Sequence, residues 1–187
     1  MADDALMPLG YRAASADDAE QVAALHAASW RRHYRGAYAD SFLDGDVVAD
    51  RRVVWSVRLA EPAGSITVLG EDAGGLAGFI HVILDKDAEW GSLIDNLHVA
   101  HRCQGTGVGT ALFAQVGPEI LERATDSGVY LWVLEQNLAA QQFYRARGGV
   151  SVEKAPVPPP GGVPSRLKGA PMALRIAWPN AALLAAR

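Results

Sequence analysis

Apolar positions along this chain switch repeatedly between helical and strand spacing. A short strand is predicted at Gly10–Ala13, followed by Ser15-Ala16-Asp17-Asp18, which has the form of a capping box. Val22, Leu25 and Ser29 then give a helical stripe running into Trp30. Beyond Arg35-Gly36, a loop carrying Asp40, Asp44 and Asp46 leads to a second helix over about Val47–Leu59, which Pro62 and Gly64 stop. Three strands follow as a meander, Ser65–Glu71, Leu76–Leu84 and Trp90–Val99, with Asp72-Ala73-Gly74-Gly75 as a hairpin turn. A glycine-rich turn opens a long amphipathic helix, about Gly107–Thr125. An apolar strand at Val129–Leu134 and a helix at about Leu138–Arg147, closed by Gly148-Gly149, come next. Val150–Val157 and Ala170–Trp178 read as the last two strands, separated by a proline- and glycine-rich excursion, Pro156–Lys168.

Strands alternating with helices point to an α/β or α+β sheet protein, and 187 residues without an internal repeat point to one domain spanning 1–187. Half the residues are apolar and a fifth are charged, so a core forms without staples. The single cysteine, Cys103, excludes a disulfide framework. No apolar run reaches the roughly 20 residues of a membrane span. The acidic start MADDALMPLG lacks the features of a secretory signal, so the expected compartment is the cytoplasm. A net charge of −4 argues against nucleic acid as a partner and is compatible with a cationic small molecule.

The most informative stretch is Gln104-Gly105-Thr106-Gly107-Val108-Gly109-Thr110, between a strand and a helix. Glycines at alternate positions leave amides bare, and the following helix adds its positive end, so a phosphate is a natural guest. A tight turn without a ligand is the other reading of that spacing. A Rossmann fingerprint fails because Thr110 stands where its third glycine belongs, and no Gly-Lys-Ser/Thr tripeptide supports a Walker turn. Downstream, Asn137, Gln141, Tyr144 and Gly148 fall along one helix face. Taken alone, Asn137 reads as an N-cap and Tyr144 as a boundary aromatic.

Together, the two segments resemble the GNAT (Gcn5-related N-acetyltransferase) superfamily. Its acyl-CoA motif, Gln/Arg-x-x-Gly-x-Gly/Ala, is met by Gln104 through Gly109. Its second motif is met by Asn137, Phe143-Tyr144 and Gly148. The resemblance implies a mixed central sheet of about seven strands with splayed parallel central strands, flanked by about four helices. It implies acetyl-CoA as acyl donor, held between Leu93–Val99 and Val129–Leu134 by the backbone of Leu97 and Val99. The pyrophosphate would rest on Gln104, Gly105, Thr106, Gly107, Val108, Gly109 and Thr110, with Asn137 on the pantetheine. Arg147 is a second candidate phosphate partner beside its reading as a solvated helix-end charge.

The implied reaction is direct transfer of an acetyl group to a primary amine, with Tyr144 as the acid for the departing thiolate. The family's glutamate early in the central strand is replaced here by Leu93. Asp95 is the nearest carboxylate and the candidate base, with His98, Glu135 and a water chain as alternatives. His98 has the wrong strand parity unless a bulge turns it. His101 stands where proline is usual. His101 and Cys103 lack a third ligand, so no metal is expected.

For the acceptor, a small-molecule amine or a peptide, Trp30, Tyr34 and Trp132 are the candidate walls; Trp30 and Tyr34 read equally as core. The excursion 156–168 is left with two roles, a lid or part of a homodimer interface. The rival to an enzyme is a non-catalytic acyl-CoA sensor or scaffold, and a third reading is a nucleotide-binding protein.

Overall fold

The computed structural model describes residues 9–185. Its elements are β1 (Gly10–Ala13), α1 (Ala19–His33), α2 (Asp40–Asp44), α3 (Val47–Ala60), β2 (Ser65–Asp72), β3 (Gly75–Asp87), β4 (Gly91–Val99), α4 (Val108–Arg123), β5 (Val129–Leu134), α5 (Leu138–Arg145), β6 (Val150–Pro156) and β7 (Met172–Trp178). They match the elements predicted from spacing, with small shifts at the ends; the five-residue α2 inside the predicted acidic loop and several short 3-10 turns, among them Ala181–Ala185, are additions. The Ser15 capping box is present. The Ser15 amide donates to Asp18 Oδ2 at 2.7 Å, and Arg12 clamps the same carboxylate. No helix among the described residues is long and apolar enough to cross a membrane.

The strands form one mixed sheet in the order β1-β2-β3-β4-β5-β7-β6, in which only β4 and β5 run parallel. Helices α4 and α5 cover one face. Their Val108, Leu112, Phe113, Val116 and Ile120 meet Ile80, Val82, Ile94, Leu131 and Ile176, and Phe143 of α5 lies 5.6 Å from Phe113. The opposite face takes α1 and α3, where Val22, Ala23 and Trp55 pack on Leu69 and Phe79. The buried stripe of α1 is Val22, Ala23, His26, Ala27 and Trp30; Leu25 and Ser29 flank it at half burial.

Two features shape the middle of the sheet. First, β4 and β5 pair only at Ser92↔Val129 and Leu93↔Tyr130 and then part. The paired end is pinched: Gly91 has φ +77°, and a Cβ there would lie 2.2 Å from the Gly128 carbonyl oxygen. Second, β4 is bulged. Ile94 pairs with Val82 and Asn96 with His81, which leaves Asp95 as the extra residue. Ile94, Leu97 and Val99 therefore all face the α4 layer, while His98 turns to α1. With this bulge, His98 and Leu93 share a face of the strand.

The excursion between β6 and β7 packs back on its own chain. Ala39 donates to the Arg166 carbonyl at 2.8 Å, Lys168 donates to the Ala37 carbonyl at 2.9 Å, and Arg166 pairs with Asp50 at 2.7 Å. It forms a wall over the α1–α2 connection, where Leu167 and Val157 join Trp30, Tyr38, Phe42 and Leu134.

Three histidines lie buried between the sheet and α1/α3. Trp55 Nε1 donates to His26 Nδ1 at 3.0 Å, His81 shares a 2.7 Å bond with Thr67, and His98 shares a 2.8 Å bond with Ser29. Because indole N–H is only a donor, His26 accepts at Nδ1 and carries its proton on Nε2. Burial pushes His26 well below the ordinary histidine value, His81 down to about 4 and His98 down to about 3. The unfolded chain, with histidines near 6.5, binds more protons than the folded one between those values and 6.5. Their contribution is therefore fully present above about pH 6.5 and lost as pH falls below it. Each histidine adds a slope of up to about 1.4 kcal/mol per pH unit. Thermal unfolding should show Tm dropping between about pH 7 and pH 5, with a shallower drop in His98→Gln. A Tm flat across that range would contradict neutral burial of the three rings.

Candidate active site

Past the Leu93–Tyr130 rung, the gap between β4 and β5 opens into a cavity of about 480 Å³. Leu97, His98 and Val99 line one side and Trp132, Val133 and Leu134 the other. Backbone N–H and C=O groups along parted strands lack the sheet partners they otherwise have, so a guest with alternating donors and acceptors can take their place. The floor at one end is the turn into α4. Gln104, Gly105, Gly107, Val108, Gly109 and Thr110 all line the cavity. Gly105 and Gly107 have φ +79° and +92°, a backbone shape that L side chains resist. Gly107 caps α4, so the first α4 amides have no intrahelical acceptor and face a region favourable to negative charge.

Arg147 stands over the same helix start. It lines the cavity, donates to Thr110 Oγ1 and to the Phe143 carbonyl, and its guanidinium lies 4.0 Å above the Phe143 ring. No carboxylate pairs with it among the described residues, and its buried Nε has no partner. Loss of water lowers its pKa. A desolvated arginine at a helix N-terminus and without an acid is a setting that an anion completes.

Asn137 is the N-cap of α5 and also faces the cavity. Its side chain accepts from the Ala140 amide at 3.2 Å. Tyr144, two turns along α5, lies between the cavity and the Phe113–Trp178 layer. Desolvation, reinforced by the nearby Tyr34 phenol, raises its pKa above the ordinary phenol value, so it keeps its proton at neutral pH. Tyr34 reaches the same cavity from the end of α1; burial and the charge of Asp95 push it up to about 12.

Other residues picked from the sequence lie elsewhere. Trp30 is buried, 5.0 Å from Tyr38 and 4.3 Å from the Arg51 guanidinium, and does not line the cavity. The helical stripe turns it inward with Ala27 and leaves Tyr34 at the helix end to face the opening. Thr106 bends its hydroxyl back onto the Cys103 carbonyl at 2.8 Å and is absent from the lining. Asp95 is also absent from it. Its carboxylate is held by Arg58 of α3 at 2.6 Å. Glu135 is paired with Lys154 on the surface.

Ser29 and His33 also line the cavity. They are four residues apart on α1, a spacing that puts both on one face and was the available signal. Gln104 links His33 to His101, at 3.3 Å each.

The family model described as Acetyltransferase (GNAT) family matches residues 19–148. The chain belongs to the GNAT acetyltransferase family. Solved structures share its fold at low identity. The PaiA N-acetyltransferase from Thermoplasma acidophilum, in complex with coenzyme A, superposes with TM-score 0.69 at 16% identity, over 92% of this chain and 100% of that one. YncA from Salmonella typhimurium, a putative acetyltransferase by its description and bound to acetyl-CoA, gives 0.65 at 15%, over 92% and 94%. Nourseothricin acetyltransferase gives 0.63 at 21%, over 92% and 98%. No curated protein sequence matches the chain.

As a GNAT acetyltransferase, the chain depends on acetyl-CoA as its acyl donor. The αL backbone at Gly107 in its glycine turn makes a testable demand. Gly107→Ala should cost about 1–2 kcal/mol and lower Tm by about 2–8 °C, because alanine resists that φ although its Cβ meets no neighbour. Gly10→Ala, in a strand with ordinary φ, is the matched control and should leave Tm nearly unchanged. Equal effects of the two would mean the turn does not hold the left-handed shape.

Proposed function

We propose that this GNAT acetyltransferase moves the acetyl group directly from acetyl-CoA to the primary amine of a small molecule or peptide. The observation that carries the reading is the parted β4–β5 gap ending on an anion-ready turn beside the acid-free Arg147. In this reading the pantetheine lies as an added strand against Leu97 and Val99. Its pyrophosphate rests on the amides of residues 105–110, with Arg147 as the phosphate partner and Asn137 contacting the arm. Thr106 then acts only by shaping the turn.

Tyr144 is the proposed acid. Its phenol is protonated, half-buried and in the cavity, so it can give a proton to the thiolate as the thioester breaks. The amine's proton is a separate matter. Asp95 is engaged by Arg58, and His98, pushed down to about 3, is a weak acceptor. We therefore favour release of that proton to water in the open cleft. Tyr34 and Trp132 are the proposed acceptor walls.

An acyl-CoA sensor and an enzyme part company at Tyr144. Tyr144→Phe should lower kcat by roughly 10²–10⁴-fold while acetyl-CoA affinity by calorimetry stays close to that of the parent. The assay is free-thiol release with polyamines, amino acids, aminoglycosides and N-terminal peptides as acceptors. Unchanged turnover would remove Tyr144 from the acid role. Thiol release with none of the acceptors, despite confirmed cofactor binding, would favour the sensor.

The phosphate role has its own test. Arg147→Ala should weaken coenzyme A binding roughly 10- to 150-fold, the worth of a charge-assisted hydrogen bond, and weaken dephosphorylated pantetheine binding far less. Equal losses for both ligands would show that Arg147 acts through packing instead.

A further inference from the structure

On the face opposite α4 and α5, one cation is stacked beneath three aromatic rings. Arg175 of β7 sits with its guanidinium carbon 4.8 Å from the Trp132 ring, 4.9 Å from Tyr130 and 5.4 Å from Trp90. Its side chain is 12% exposed. Glu153 of the edge strand β6 lies 3.0 Å from its Nε, and Asp87 at the end of β3 lies 3.6 Å from its Nη1. Register puts Glu153, Arg175 and Trp132 in one row across β6, β7 and β5. Two acids lie within ion-pair distance of the charge and the ring faces replace part of its lost water, although its buried Nε makes no hydrogen bond.

Trp132 is the member of this stack that lines the cavity. It stands two residues past the last β4–β5 rung, where β5 has lost its β4 partner and is paired on the β7 side. A strand side chain is ordinarily fixed by cross-strand neighbours on both sides. Here the β7 side alone must do it, and the neighbour there is Arg175. We propose that Arg175 is a positioning residue for the transfer reaction: it holds the Trp132 indole in one orientation as the acceptor-side wall of the cavity. Its charge is neutralised by Glu153 and Asp87, so the wall presents a ring rather than a cation to an incoming ammonium group. The inference rests on the cofactor and acceptor reading above.

Fluorine NMR on 5-fluorotryptophan protein tests it, with each of the five tryptophan lines assigned by single Trp→Phe variants. In the parent, Trp132 should give one narrow line that shifts when coenzyme A is added. Arg175→Leu should broaden or split the Trp132 line and leave Trp55 and Trp178, buried elsewhere, unchanged, which also shows that the variant folds. Arg175→Lys, which keeps the charge without the flat stacking surface, should restore the line only in part. Millimolar methylguanidinium added to Arg175→Ala should narrow it again. A Trp132 line that shifts with coenzyme A yet is unaltered in Arg175→Leu would overturn this inference alone. A parent Trp132 line indifferent to saturating coenzyme A would overturn the cavity reading on which it rests.

Discussion

The parting of β4 from β5 after two paired rungs is the constraint on which the rest of the molecule depends. Unpaired backbone groups in the middle of a sheet are costly unless something meets them, so a protein that keeps such a gap must hold it open by other contacts. Here the strands are pinched at one end, where Gly91 meets the Gly128 carbonyl. At the other end α4 and α5 pack over the opening from one face, with Tyr144 stacked on Phe113 and Phe143 edge-on to both. The Asp95 bulge belongs to the same device. It rotates the last third of β4 so that Leu97 and Val99 keep their side chains in the α4 layer, while His98 closes against Ser29 of α1. The gap is thus walled by fixed groups on both faces.

Much of this was readable from the chain. The two spacings locate each principal helix and strand, the capping box sits where Ser15 and Asp18 announce it, and the glycine turn opens a helix as its composition demands. These are local properties, carried by neighbouring residues. What was not readable is long-range or depends on a single inserted residue. No glycine or proline at Asp95 marks the bulge, so strand parity alone sends His98 to the wrong face. The Arg58–Asp95 pair joins residues 37 apart, and nothing in either segment names the other. Trp30 and Tyr34 look equivalent by i, i+4 spacing. Only the end of α1, which frees Tyr34 from the packed stripe, separates core from cavity.

Two arginines show how the same group serves opposite ends. Arg175 is flanked by rings and paired with Glu153 and Asp87, so its charge is met inside the fold and the use proposed for it is geometric. Arg147 also lies over an aromatic ring, yet no acid answers it among the described residues, and it leans on a helix N-terminus that favours anions as well. Holding one cation unpaired there costs folding free energy that a matched pair would avoid. Such a cost is retained where a ligand offsets it, and the contrast within one molecule makes Arg147 the informative one.

The titratable groups around the gap are arranged with the same asymmetry. The phenols of Tyr34 and Tyr144 are held protonated by desolvation, with the charge of Asp95 adding to it at Tyr34 and the Tyr34 phenol adding to it at Tyr144. The acceptors of protons are withheld: His98 is buried and neutral, and Asp95 is tied to Arg58. A site rich in donors and poor in bases helps the bond that breaks more than the bond that forms. In the proposed reaction, the thiolate would leave beside a ready proton, whereas the amine would shed its own proton where water still reaches it. That division assigns opposite demands to the two sides of the sheet. On the proposed reading, the cofactor side calls for fixed contacts, and the acceptor side for a fixed wall but an open mouth. The proposed Trp132 wall, a stacked ring backed by the paired charge of Arg175, would meet both demands without placing a competing cation in the amine's path.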